Sequence, residues 1–128
     1  MSAKPVIHLA RVYDDLSKVH GARLLVDRLW PRGVQKESLH LSEWVRDVAP
    51  SNTLRQWFAH EVEKWPEFQK RYRKELQDNH EAVEQCLVWL RKGSVTLLYG
   101  AKDHEHNNAV VLADYLAHHA TQHGKKHS

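Results

Sequence analysis

Short apolar runs alternate along the chain with longer segments in which apolar residues recur at helical spacing. The runs at 6–12, 22–30 and 94–100 are rich in Val, Leu and Ile, which predicts three strands. The last run is apolar at successive positions, so we expect its strand to lie in the centre of the sheet. The segment 39–51 permits either a short strand or a loop, because its apolar residues alternate and Pro50 ends the pattern.

The helical segments have recognisable beginnings and ends. Ser51 is a predicted N-cap, and the helix after it is expected to bury four apolar side chains, namely Leu54, Trp57, Phe58 and Val62. A second helical pattern starts near Pro66 and closes at Gly93, either as one long helix or as two that meet near 78–81. A last helix is predicted from about Asn108.

The order strand–strand–helices–strand–helix predicts an α/β fold. We expect a single-domain sandwich with a small, mostly parallel central sheet flanked by helices. The chain has 128 residues, which suffice for one hydrophobic core, and no linker or repeat divides it. The predicted domain covers residues 1–120, and residues 121–128 are predicted to form a flexible tail.

Composition limits the class of protein. The 41% hydrophobic and 27% charged fractions are ordinary for a globular domain, and no apolar run is long enough to cross a bilayer. The N-terminal residues lack the apolar core of a secretory signal. The single cysteine, Cys86, rules out an internal disulfide and fits a reducing compartment. We therefore expect a cytoplasmic protein without a membrane partner.

The charge balance gives little support to a nucleic-acid partner. The formal net charge is +3, and two of the cationic residues lie in the C-terminal sequence "GKKHS". Nucleic-acid-binding domains usually concentrate Lys and Arg on one face, whereas the charges of this chain are mixed along it. The alternative to a nucleic-acid-binding face is an ordinary charged surface in contact with solvent.

Charged and polar side chains follow each of the three predicted strands. Ligands of open α/β sheets bind beyond the carboxyl ends of the strands, and a helix N-terminus there adds free N–H groups. We therefore predict an anion site for a phosphate or carboxylate group. Its expected ligand-binding residues are Arg11, Arg28, Trp30, Arg32, Gly33, Lys102, Asn107 and Asn108.

Two of the strand-end residues have a second interpretation. Asp27 and Arg28 are adjacent and point to opposite faces of a strand, so each would need its own partner if buried. The partners considered are Arg11 or Lys102 for the carboxylate and Asp47 or Asp103 for the guanidinium. Both structural ion pairs and an anion pocket are compatible with the sequence. Trp30 is expected in the core or in a pocket wall, and Gly33 in a turn with positive φ.

Three classes of function stay open at this stage. An enzyme would use Asp27, Asp103 or His106 for proton transfer beside the bound anion. A binding module would recognise nucleotide or nucleic-acid phosphate without catalysis. A regulatory domain would bind an acidic protein partner at the same loops. The sequence specifies neither the ligand nor the oligomeric state.

The eleven histidines raise the question of a metal. His104 and His106 have chelating spacing, and His119 and His123 share a helix face, but a tight zinc site needs three or four converging ligands. We therefore expect no metal. With five glycines and no phosphate-cradling loop or nucleophile elbow, we also expect no cofactor.

Several motifs occur in an order that is found in one protein family. They are "RVYD" (11–14), "LVDRLWPRG" (25–33), "APS" (49–51) before "LRQWF" (54–58), and "TLLYGAKD" (96–103) with "N-x-A" (107–109). The chain resembles the YeaO-like branch of the domain of unknown function 488 family (DUF488). The resemblance implies a small single-domain α/β fold. It implies no activity, because that family is functionally uncharacterised.

The chain departs from some longer members of that family after the last strand. Those members have a "Cys-His-Arg" sequence there, whereas this chain has "HEHNNAV" (104–110). Cys86 does not replace the missing cysteine, because it lies on a helical apolar stripe beside Leu87. Thiolate chemistry is therefore not expected in this chain.

Overall fold

The computed structural model describes residues 6–19 and 21–126, with side chains up to residue 119. Four parallel strands form one sheet in the order β1-β4-β2-β3. The strands are β1 (Ile7–Arg11), β2 (Ala22–Leu25), β3 (Glu43–Trp44) and β4 (Val95–Tyr99). The helices are α1 (Lys36–Leu39), α2 (Asn52–Phe58), α3 (Trp65–Gln77), α4 (His80–Lys92) and α5 (Asn108–Lys126). The predicted α/β class with a parallel sheet is confirmed.

The strand β4 lies in the centre of the sheet, as its continuous apolar pattern predicts. It pairs with β1 on one side and β2 on the other, so that Leu97 lies between Leu9 and Leu24. All five residues of β4 are buried. A strand covered on both faces has no polar face to display, which explains the unbroken apolar run.

The two faces of the sheet have different covers. The helices α2 to α5 pack on one face, where Leu24 and Leu97 join the larger core with Phe68, Tyr72 and Leu112. The other face is covered by α1 and the loops beside it, and its core includes Leu25, Leu98, Val12, Leu16 and Leu39. Arg23 of β2 holds α1 and the loop before β2 against this face, because its guanidinium donates to the carbonyls of Leu16 (2.7 Å) and Leu39 (3.0 Å).

The strand predicted over 22–30 is shorter than expected, and this correction matters for the site. Pairing continues to Val26, whose N–H donates to Leu98 O (3.1 Å). At the next position the Asp27 carboxylate, rather than a backbone carbonyl, accepts the N–H of Gly100. The backbone ladder between the two strands stops there, and Asp27 and Arg28 lie in the loop beyond the strand.

The two ambiguous segments are resolved. Within 39–51 the chain forms the two-residue strand β3 and a 3₁₀ turn over Arg46–Val48. The second helical pattern is two helices, because α3 ends at Gln77 and α4 begins at His80. Ser51 is confirmed as the N-cap of α2, since its Oγ accepts the N–H of Leu54 (3.1 Å).

The prediction that Val62 is buried on the helix after Ser51 is wrong. That helix ends at Phe58, and Ala59 and His60 both have positive φ (46° and 60°). The left-handed backbone turns the chain away from the helix axis, so Val62 lies in a separate 3₁₀ turn and is 50% exposed. Trp57 is half-buried, with the Arg71 guanidinium over its ring (4.2 Å).

The helix α5 begins at Asn108 as predicted and extends to Lys126. The tail predicted over 121–128 lies in part outside the described residues, so its flexibility stays a prediction. Over the described part of the chain, none of the helices has the length and apolar character needed to cross a bilayer.

Candidate functional site

A cleft of about 280 Å³ opens beyond the carboxyl ends of β2 and β4. The loop after β2, the loop after β4, the start of α5 and the turn after α2 all contribute to it. Its charged and polar lining includes Asp27, Arg28, Arg55, His60, His106 and Asn108. The sheet edge predicted from the sequence is therefore concave, and residues from distant segments converge there.

Asp27 lies at the base of the cleft and connects three elements. Its Oδ2 accepts the N–H of Gly100 (2.8 Å), and its Oδ1 accepts the Asn108 side-chain amide (3.2 Å). Its backbone carbonyl accepts the indole N–H of Trp44 (2.8 Å). Burial raises the pKa of Asp27, while these hydrogen bonds and the charges of Arg55 and His60 oppose the rise. The carboxyl group is thus positioned by neutral donors rather than by an ion pair.

Arg28 lies beside Asp27 and has only weak contacts. Its guanidinium donates to Pro50 O and Ala49 O, each at 3.4 Å, which is longer than a usual hydrogen bond. No carboxylate among the described residues lies within ion-pair distance of it. Of the two partners considered for it, Asp103 contacts His106, and the Asp47 side chain is exposed to solvent.

Arg55 and His60 are site residues that the sequence did not reveal. Arg55 projects from α2 into the cleft, and its guanidinium donates to Asn52 Oδ1 (3.0 Å). His60 reaches the cleft because of the left-handed turn at Ala59 and His60. The turn contains no glycine, and although histidine is among the residue types enriched at positive φ, one histidine alone does not predict such a turn.

His106 is held by Asp103 at the start of the last helix. Asp103 Oδ2 lies 2.9 Å from His106 Nδ1, while Oδ1 accepts the backbone N–H groups of Glu105 (2.9 Å) and His106 (3.1 Å). The hydrogen bond from Glu105 contributes most to lowering the pKa of Asp103. With Nδ1 engaged by a carboxylate, the imidazole keeps Nε2 for a ligand in the cleft.

The two predicted asparagines have structural contacts as well as a place in the cleft. Asn107 is buried; its Oδ1 accepts the N–H of Val110 (3.1 Å) and its amide donates to Asp103 O (2.8 Å). Asn108 donates to Val26 O (3.1 Å) as well as to Asp27. These bonds fix the N-terminus of α5 against the end of β2.

Five other residues predicted for the anion site do not line the cleft. Arg11 donates to Ala101 O (2.9 Å), and the Tyr13 hydroxyl donates to Arg32 O (2.8 Å). The side chains of Arg32 and Lys102 are exposed. Trp30 and Gly33 belong to the opposite face and its loops. Trp30 packs edge-on against Trp44 (5.3 Å), and Gly33 has the expected positive φ of 77°.

The histidines proposed as weak metal ligands have other partners. His104 Nδ1 lies 2.8 Å from the Tyr99 hydroxyl, and His106 is bound by Asp103. Among the residues that the structure describes, no cluster of three or more His, Cys, Asp or Glu side chains could hold a metal ion. Cys86 is buried in the core, where burial raises its pKa to about 12.

The chain with this α/β fold belongs to a known protein family. The chain is a member of the DUF488-N3i family, described as the inactive DUF488-N3 subclade, which matches residues 6–128. This finding confirms the DUF488 resemblance seen in the sequence motifs.

Individual relatives support the same assignment. The uncharacterized protein YeaO of Escherichia coli is 42% identical over 110 residues, which are 86% of this chain and 96% of YeaO. The uncharacterized protein Rv3073c of Mycobacterium tuberculosis is 37% identical over 110 residues, which cover 86% of this chain and 92% of that protein. No solved structure matches the chain significantly.

Proposed function

We propose that the cleft binds the phosphate or carboxylate group of a small molecule. The observation that carries this proposal is that the two arginines of the cleft have no carboxylate partner among the described residues. Arg28 and Arg55 both line the cleft, and neither forms an ion pair with a carboxylate of the described residues. Two guanidinium groups beside one carboxyl group, whose own pKa is raised, leave an excess of positive charge for an anion.

The family description favours binding over catalysis. The subclade is described as inactive, and in this chain the only cysteine is a core residue with a raised pKa. We therefore propose a ligand-binding domain in which Asp27 and His106 contact the ligand and Asp103 orients His106. The single cysteine also supports the proposal of a cytoplasmic location.

The test compares the phosphate affinity of variants inside the cleft with that of variants outside it. Isothermal titration of the protein with inorganic phosphate is expected to give saturable binding. Arg28→Gln and Arg55→Gln should each weaken it at least about tenfold, because charged hydrogen bonds are worth roughly 1.5–3 kcal/mol. Arg32→Gln and Lys102→Gln serve as matched controls and should leave the affinity within about twofold, since these exposed side chains do not line the cleft.

Two outcomes would contradict the proposal. One is the absence of saturable phosphate and acetate binding to the folded protein. The other is equal loss of binding in all four variants, together with tight, steeply salt-dependent binding of an arbitrary DNA duplex. The second result would indicate a diffuse polyanion surface instead of a small-ligand cleft.

A further inference from the structure

The cleft has an apolar wall that a bare anion would not need. Phe58 and Phe68 belong to it and stack on each other (4.3 Å between ring centroids, 23° between planes), but they are 5% and 2% exposed, so each shows only a small part of its ring to the cleft. Trp65 extends the stack from Phe68 and meets the His106 ring edge-on (5.2 Å). At the rim, the Leu29 side chain is 61% exposed. Apolar walls with a few placed polar groups are typical of sites for organic ligands.

Two imidazole rings from separate segments are accessible in the same cleft. His60 comes from the turn after α2 and is exposed, whereas His106 comes from the loop before α5 and is partly exposed. The turn that presents His60 keeps two successive non-glycine residues at positive φ, an uncommon arrangement that tends to occur where function requires it.

The carboxyl group at the base of the cleft can accept further hydrogen bonds. Each oxygen of Asp27 holds one protein donor, Gly100 N–H or the Asn108 amide, and a carboxylate oxygen has room for a second. A ligand with N–H donors would satisfy those remaining positions.

From these features we propose that the ligand is a nucleotide, that is, a planar heteroaromatic ring with N–H donors joined to a phosphate. The ring lies against the exposed His60 imidazole and the Leu29 side chain, with Phe58 and Phe68 behind them, and its N–H groups face Asp27. The phosphate lies at Arg28 and Arg55, so this inference rests on the proposed anion site. The volume of about 280 Å³ lies at the small end of ligand pockets and suits a mononucleotide more than a longer chain.

The experiment separates the ring from the phosphate. The protein is titrated calorimetrically with the four ribonucleoside 5′-monophosphates, with ribose 5-phosphate and with the four nucleosides. At least one nucleotide is expected to bind about tenfold more tightly than ribose 5-phosphate, because base stacking on aromatic side chains contributes roughly 1–3 kcal/mol. Saturation-transfer NMR of that complex should give stronger signals from base protons than from ribose protons.

A variant pair tests the position of the ring. His60→Ala should weaken nucleotide binding by at least about fivefold and leave ribose 5-phosphate binding unchanged. His40→Ala is the matched control, since His40 is also an exposed histidine at positive φ (49°) but does not line the cleft. Both residues are exposed, so both variants should fold.

The outcomes distinguish this inference from the proposed function. If ribose 5-phosphate binds as tightly as every nucleotide, the nucleotide proposal is overturned and the anion site stands. If nucleosides bind as tightly as nucleotides, the phosphate position is wrong while the ring position stands. If none of these compounds binds, both proposals fail. An equal effect of the two histidine variants would also contradict the ring position.

Discussion

The carboxylate of Asp27 accepts the backbone N–H of Gly100 at 2.8 Å, across 73 positions of the chain. This bond ends the backbone pairing of two neighbouring strands and places a partly buried carboxyl group at the base of the cleft. It also explains how two adjacent charged residues follow an apolar run, because Asp27 and Arg28 come after the strand instead of lying within it.

The raised pKa of Asp27 has a consequence for stability. A carboxyl group whose pKa is higher in the folded than in the unfolded protein binds protons more tightly when folded, so its contribution falls as pH rises above the ordinary value of 3.8. Asp27→Asn removes this titration. The free energy of unfolding of the parent should therefore decrease relative to Asp27→Asn as the pH rises from about 4 through the raised pKa of the folded protein.

Urea unfolding of both proteins at several pH values measures that difference, and the other carboxylates cancel because they titrate in both. Asp27→Ala is a second comparison, which leaves the Gly100 N–H without its partner and should cost about 1–3 kcal/mol. A parent that gains stability over Asp27→Asn as the pH rises would show that hydrogen bonding outweighs burial.

Gly100 lies close to the Asp27 side chain. A Cβ at this position would lie 3.3 Å from Asp27 Oδ2, closer than ordinary contact, so Gly100→Ala requires the carboxylate to move by a few tenths of an ångström. We expect a loss of about 1–2 kcal/mol in the free energy of unfolding. In the Asp27→Ala background the same substitution should cost much less, and equal costs in the two backgrounds would contradict the steric explanation.

Tyr72 supports the cleft from the core. Its buried hydroxyl donates to Val48 O (2.6 Å), next to the Ala49 and Pro50 carbonyls that contact Arg28. Tyr72→Phe leaves a buried carbonyl without this donor and should destabilise the fold by about 1–3 kcal/mol. It should also weaken phosphate binding, whereas Tyr13→Phe, at an exposed hydroxyl on the outer edge, should change neither quantity appreciably. Identical melting temperatures for the two variants would refute this role.

Cys86 should be chemically inert in the folded protein. Its thiol is buried and has a pKa near 12, so almost no thiolate exists at neutral or mildly basic pH. Iodoacetamide should leave the native chain unmodified over hours and label it fully in denaturant, as read by intact mass. Rapid labelling of the native protein would mean that the helix α4 opens readily.

Sequence patterns identified the architecture because each element carries a local signal. Residues adjacent in sequence are enough to predict the apolar strand β4, the N-cap Ser51 and the start of α5 at Asn108. The apolar pattern predicts a strand up to residue 30 and so includes Asp27 and Arg28 in it, whereas the strand ends before them. Their partners could not be predicted, because these depend on which distant loops meet; among the described residues, none of the four ion pairs considered forms.

The missing part of the site depends on backbone geometry that residue types do not encode. His60 enters the cleft through a left-handed turn without glycine, and Arg55 is one of several charged residues on an amphipathic helix. Conversely, Arg32 and Lys102 follow strands in sequence but project from the outer part of the edge. The sequence indicated the edge of the sheet at which the cleft lies, but it could not show which residues of that edge line the cleft.

The most direct test of the anion site observes the two arginines themselves. In heteronuclear NMR of the arginine side chains, titration with inorganic phosphate should shift the Nε–H signals of Arg28 and Arg55 in a saturable way, with one shared dissociation constant. The signals of Arg32 and Arg46, whose side chains lie outside the cleft, should change little over the same range. Uniform small shifts of all the arginine signals, or saturation at Arg32 but not at Arg28, would contradict the account.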